Sequence, residues 1–344
     1  MKITTKLAIK RSIKSVASKA PIRRSFRRAS ADALQIFAYH RVVADIAKAE
    51  RDAIYGIVIS TDTFRRHCEI LRRSYDVVSL ETAMQNLAQK REASRPMAVI
   101  TFDDGYSDFY EQAFPVLNNF GLPATVFLPT DFIGQNTPLA HDRIFWLLKT
   151  AFEKSFSVGN ALRNAGVSDD VADGCVRSRN LLKATDLLVY LPNELREKVI
   201  REIKRELGEA FEAYPSEFRL LDWEQVREMS QHRIDFGGHT ANHVVLPLEN
   251  ESVIRTEIKR SKQTLETELG KNIVSFAYPN GEYNASIKQI TKNAGYRVAV
   301  TTEKKMNGLE TDVFALGRTS LCEESTRGIS GRYSESVAVF RLGV

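Results

Sequence analysis

Met97-Ala98-Val99-Ile100-Thr101-Phe102-Asp103-Asp104-Gly105-Tyr106-Ser107-Asp108 is the stretch on which the reading of this chain turns. The residues up to Phe102 read as a buried strand, and two carboxylates follow with no spacer. Side chains alternate along a strand, so Asp103 and Asp104 point in different directions. One can hold a cation while the other faces a water beside it. Gly105 permits the sharp exit that exposes both. An acidic turn or a helix N-cap would look the same in isolation, since Asp also caps helices well.

Outward from that strand, apolar runs alternate with helical patterns, which predicts a parallel sheet or barrel. The strand candidates are Leu34–Tyr39, Asp76–Ser79, Met97–Phe102, Ala124–Leu128, Ile234–Gly238, Ile273–Tyr278 and Arg297–Thr301. Between them lie the amphipathic stretches Thr63–Ser74, Leu80–Lys90, Ser107–Phe120, Trp223–Ser230, Glu251–Leu269 and Ala285–Ala294. Seven strands alternating with helices over about 300 residues approach barrel size. From about 139 to 220 no strand is legible and the text reads as helix throughout. That predicts a helical insertion on the side of the strand ends, where substrate loops sit.

The chain of 344 residues is 43% hydrophobic, enough for one large α/β domain. Its net charge of +6 is misleading, because residues 1–31 hold ten Lys or Arg and no acid, leaving the rest at −4. A basic body that would track nucleic acid is therefore not expected. Residues 1–31 are taken as a basic extension and 32–344 as the folded domain. In the extension, Ile9, Ile13, Val16 and Ala20 fall at helical spacing beside Lys6, Lys10 and Lys14. A helix on an anionic membrane surface, a solvated tail and an organelle transit peptide all fit that pattern. No apolar run suits a signal peptide or a membrane span, and three scattered cysteines suit a reducing compartment. The expectation is a cytoplasmic protein, with peripheral contact at the inner membrane face as an option.

Two further stretches end strands. In Ile234-Asp235-Phe236-Gly237-Gly238-His239-Thr240-Ala241-Asn242-His243, two histidines four residues apart, one helical turn on, could meet one ion. In Ala277-Tyr278-Pro279-Asn280-Gly281 a turn could present backbone N–H groups at the same rim, or be a plain turn.

Together these motifs resemble the polysaccharide deacetylase family, the NodB-homology or carbohydrate esterase family 4 group. Thr101–Gly105 reads as its T-F-D-D-G motif and His239–His243 as its H-[S/T]-x-x-H motif. Phe37–Val42 (FAYHRV) also resembles the start of many members, and the likeness spans about 34–134 and 222–320. The resemblance implies an irregular (β/α)7 barrel, with Asp103 as general base and Asp104, His239 and His243 as metal ligands. Thr240 would support the loop. Two departures stand out. The family's R-P-P-Y-G motif is here Ala277–Gly281, so its arginine is missing at 277. The histidine of its final L-x-H motif is replaced in Leu316-Gly317-Arg318. FAYP variants of this kind resemble a branch associated with bacterial exopolysaccharide clusters, where Asp142-Arg143 near Trp146 is also familiar.

The implied activity is metal-dependent removal of an N-acetyl group from an N-acetylhexosamine, cleaving a non-peptide carbon–nitrogen bond. The acetylated glycan would be a polysaccharide, an oligosaccharide or a lipid-linked precursor. One divalent ion is implied, zinc first, with cobalt, nickel or iron as alternatives. Asp103 would take the proton of the attacking water, and a backbone N–H near Asn280 would serve as oxyanion donor. His40 would protonate the leaving amine, and Arg318 would orient Asp103 in place of the missing arginine. His40 could equally be a hydrogen-bonded barrel histidine. Other acyl hydrolysis (an O-acetyl ester, a formamide, a cyclic imide) or glycan binding without turnover remain as alternatives. Trp146 and Trp223 read as buried anchors before sugar platforms. His67 and His232 read as surface groups, and Cys68 as a small core residue.

Overall fold

The computed structural model describes residues 34–89, 95–178 and 180–344. The basic extension, with its three readings, lies outside the described residues.

All six residues of Met97–Phe102 are buried, as expected of a strand covered on both faces. Strands in chain order are β1 (Leu34–Tyr39), β2 (Arg41–Val43), β3 (Val58–Ser60), β4 (Asp76–Val77), β5 (Met97–Phe102), β6 (Ala124–Leu128), β7 (Ile234–Gly238), β8 (Ser275–Ala277), β9 (Val298–Val300) and β10 (Thr319–Ser320). The main sheet runs β10-β1-β5-β6-β7-β8-β9, with β4 on the starting half of β5. Every pairing in it is parallel. The strands' carboxyl ends therefore gather at one rim. The curled sheet joins its two edges through residues 316–320. Leu316 N–H donates to Ala299 O at 3.0 Å, while Thr319 and Ser320 lie in register with Phe37 and Ala38 of β1. This is the irregular (β/α)7 architecture.

Register positions the rim. β1 and β5 pair from Leu34↔Met97 to Tyr39↔Phe102, and Asp103 N–H extends the ladder to Tyr39 O at 3.0 Å. His40 and Asp103 thus leave adjacent strands at one level. On the other side β6 and β7 pair through Leu128↔Gly238, and His239 N–H reaches Leu128 O at 3.0 Å.

Between Ala140 and Leu207 the described residues form five helices and no strand: Ala140–Glu153, Gly159–Asn164, Asp169–Arg177, Leu181–Val189 and Asn193–Leu207. They pack around their own apolar cluster, which includes Ile144, Leu148, Leu162, Leu188, Val199 and Ile203. No helix among the described residues is long and apolar enough to cross a membrane.

Three readings are corrected. His67 is not a surface group but 0% exposed. Its helix, Thr61–Ser74, turns Phe64, His67, Cys68 and Leu71 inward at helical spacing, and the Tyr39 hydroxyl meets His67 Nδ1 at 3.1 Å. Ser107–Phe120 is not one α-helix, since Phe109–Ala113 is a π-helical turn before Phe114–Phe120. β2, β3 and β10 were not foreseen, for they are two or three residues long and held by tertiary pairing. Cys68 is buried and His232 exposed, both as expected.

Candidate active site

Asp103 and Asp104 emerge from β5 at 3% exposure each. Their divergence follows from the pleat, then from Asp104 turning left-handed (φ 74°) ahead of Gly105 (φ 66°). Gly105 is required here: a side chain would strain its φ and set Cβ 2.5 Å from Leu128 Cδ2.

Asp103 meets Arg318 in a two-point ion pair, Nη1 donating to Oδ1 at 2.7 Å and Nη2 to Oδ2 at 2.6 Å. Arg318 is 0% exposed. Its Nε donates to Thr301 O at 2.9 Å and its Nη1 also to Thr101 Oγ1 at 3.1 Å. Burial works to raise the Asp103 pKa, but the Arg318 guanidinium more than offsets it and holds the carboxyl below the usual range. His40 Nε2 lies 4.0 Å from Asp103 Oδ2.

Asp104 faces the histidines instead. Its Oδ1 lies 3.1 Å from His243 Nε2 and 3.5 Å from His239 Nε2. His239 Nδ1 lies 2.7 Å from Ala277 O. A carbonyl can only accept, so Nδ1 carries a proton and Nε2 is the atom that faces Asp104. Burial works to lower the His239 pKa, but Asp104 and Asp103 more than offset it and raise it. Burial pushes His243 down to about 4, favouring the neutral, donor form. The spacing of the pair was read correctly, but the segment between them is a loop, not a helical turn. Thr240 (φ 63°) and His243 (φ 51°) are both left-handed. Thr240 Oγ1 accepts the Val244 N–H at 3.2 Å.

One carboxylate and two imidazole donors, all within 4.8 Å of one another, suit a divalent transition ion. The fit has a second support. Asp104 Oδ1 is buried and has no hydrogen-bond partner, an uncompensated acceptor beside the Nε2 atoms of two imidazoles.

Asn280 (φ 56°) stands beyond the end of β8 and lines the same cavity of about 320 Å³, together with His40, Asp103, Asp104, His239 and His243. Thr302 Oγ1 donates to Asn280 O at 3.1 Å. The structure thus brings together His40, Asp103, Asp104, His239, His243, Asn280 and, through Asp103, Arg318. It adds residues that sequence reasoning missed. His141, on the first helix of the insertion, enters the cavity with Nε2 3.9 Å from Asp104 Oδ2 and 2.8 Å from the Tyr106 hydroxyl. Tyr106 in turn donates to Asp142 Oδ2 at 2.7 Å, and burial pushes Asp142 up to about 7. Glu257, 7% exposed, accepts the backbone N–H groups of Ala241 (3.0 Å) and Asn242 (2.8 Å) and braces the histidine loop. Trp146 is half-buried beside a different cavity, its Nε1 donating to Ala213 O.

Compared with known proteins, residues 90–299 match the family model described as polysaccharide deacetylase. YxkH of Bacillus subtilis, named as a polysaccharide deacetylase, is 23% identical over 275 residues, 80% of this chain and 69% of that protein. Among solved structures, deacetylase PplD of Streptococcus pyogenes, in complex with acetate, superposes with a TM-score of 0.56 at 20% identity. That match covers 85% of this chain and 94% of PplD. IcaB from Ammonifex degensii gives 0.56 at 18% identity over 92% of this chain and all of its own. At these identities the structures share a fold with this chain.

Proposed function

The chain belongs to the polysaccharide deacetylase family. From that premise we propose that it hydrolyses the acetamide of an N-acetylhexosamine, in a polysaccharide, an oligosaccharide or a lipid-linked precursor. One divalent cation, zinc first, would be held by Asp104, His239 and His243. The observation that carries this reading is the convergence of those three donors beside an arginine-paired Asp103 at one rim.

A cation bound there supplies Lewis acidity, polarising an acyl oxygen and acidifying a water. The chain's own groups supply the rest. Asp103, kept ionised by Arg318, accepts a proton from the attacking water. His40, whose Nε2 lies 4.0 Å from Asp103 Oδ2, delivers a proton to the departing amine nitrogen. The Asn280 backbone N–H offers a donor to the developing oxyanion. Ile54, Ile57, Thr185 and Val189 also line the cavity.

The test is acetate release from an N-acetylated oligosaccharide, with an O-acetylated sugar in parallel to separate amide from ester cleavage. Asp103→Asn should lower release by about 10²–10⁴-fold, and chelation should abolish it until a divalent cation is restored. Full release by Asp103→Asn, or release indifferent to chelation, would overturn the reading.

A further inference from the structure

Arg196, on helix Asn193–Leu207, is 1% exposed. Among the described residues no carboxylate pairs with it, and its Nε has no partner. A guanidinium stays charged at neutral pH. A buried cation without a contacting anion is disfavoured unless fixed oxygens replace water. The oxygens here come from three places. Nη2 donates to Asn193 Oδ1 at 2.9 Å and to His243 O at 3.3 Å, and Nη1 to Val189 O at 3.5 Å. Val189 ends helix Leu181–Val189, where carbonyls lack an intrahelical donor, and it forms part of the cavity wall. His243 is the proposed ligand held left-handed at φ 51°, a conformation that residues other than glycine rarely adopt.

We propose that Arg196 is a positioning residue that ties the cavity wall to the His243 loop, making the helical insertion part of the hydrolytic unit. The inference rests on the cation reading above for its consequence, though not for the tie itself. His243 offers its Nε2 to the site while its carbonyl is fixed from the insertion. Releasing that carbonyl lets the left-handed backbone relax and turns the imidazole away from Asp104.

The test uses the full chain with Arg196→Met, which removes all three bonds and keeps most of the volume. In metal-free protein, amide exchange across residues 241–245 and 188–191 should quicken by about tenfold. The Co(II) dissociation constant, read by chelator competition, should rise about 10–100-fold, with a changed d–d spectrum of the bound ion. Arg143→Met is the control, breaking the ion pair with Glu197 (2.6 and 3.0 Å) inside the same insertion. It should lower the melting temperature and leave Co(II) affinity unchanged. Should Arg196→Met not fold, Arg196→Lys keeps the charge and part of the bonding, and should shift both readouts the same way by less. A folded Arg196 variant with unchanged exchange and unchanged affinity overturns the proposal, as does an equal affinity loss in Arg143→Met. Failure of the unsubstituted protein to bind Co(II) would overturn the cation reading instead, and the exchange data would then decide the role of Arg196.

Discussion

Arg318→Met removes four hydrogen bonds at a fully buried position, two of them to the oxygens of Asp103 at 2.7 and 2.6 Å. Breaking one side of a buried ion pair is expected to destabilise by about 3–5 kcal/mol, because the remaining charge is stranded. The carboxyl has one escape, which is to bind a proton. With Arg318 present its pKa lies below the ordinary value, so the pair's stabilisation is full above that value and fades as pH falls through the folded one. Without Arg318 burial is the largest remaining influence, opposed only by His239 and His40, and the pKa moves upward. The deficit should therefore be largest at neutral pH and shrink in acid. A protonated Asp103 is no base, so the acid limb of kcat/KM should also move to higher pH. Adding Asp103→Asn removes the stranded charge, so the double variant should be more stable than the summed singles predict, by about 2 kcal/mol or more. Urea unfolding of the chelator-treated proteins at pH 7 measures that coupling, and acetate release against pH measures the limb. Coupling below about 0.5 kcal/mol, the scatter of independent sites, would refute the ion pair as an energetic unit.

Two predictions concern stability alone. Burial holds His67 at about 4, so its neutral form stabilises the fold fully above the ordinary value of 6.5 and that contribution drains as pH falls toward 4. It amounts to about 3 kcal/mol at the acid end, and His67→Gln should flatten the fall in urea midpoint between pH 7 and 5; an unchanged slope would exonerate His67. A Cβ at Gly238 would lie 2.1 Å from Tyr296 Oη, so Gly238→Ala should cost about 1–3 kcal/mol in unfolding free energy. Tyr296→Phe in the same chain should return part of that loss, and no recovery would place the clash elsewhere.

What the sequence made legible follows from how each feature is held. β1, β5, β6 and β7 are buried nearly throughout, so each left an apolar run that could be bounded from the text. β8 and β9 are shorter than Ile273–Tyr278 and Arg297–Thr301, although bonding between their flanks continues past them, Tyr278 N–H donating to Val300 O at 3.2 Å and Arg297 N–H to Val274 O at 2.8 Å. Thr319–Ser320 carries no strand signal at all and exists only because β1 is beside it. The site divides in the same way. The aspartates and histidines stand in short, fixed spacings that the chemistry demands. His141, Glu257 and Arg196 sit on helices among other charges, and in NELREKVIREIKREL nothing separates the one buried arginine from its solvated neighbours.

Of five non-glycine residues with positive φ among those described, four line or adjoin the cavity: Asp104, Thr240, His243 and Asn280. Such strain persists only where surrounding bonds over-determine it, and here the strand ends and Glu257 provide them. Within that fixed rim the base partner has moved. Ala277 stands where the family's arginine is expected, and Arg318 reaches Asp103 from beside β9, its N–H bonded to Glu303 O at 2.9 Å. On the proposed reading the swap conserves the ion pair but removes the histidine expected at 318, so the proton for the leaving amine would come from another strand end. His40, after β1, is the group proposed to give it, its Nε2 4.0 Å from Asp103 Oδ2. An amine is a poor leaving group unless protonated, whereas an aryloxide leaves without help. His40→Gln should therefore lower acetamide cleavage by about 10²-fold or more and leave hydrolysis of an activated aryl acetate nearly unchanged. Equal losses on both substrates would assign His40 to binding or folding and return the search for the acid to the cavity wall.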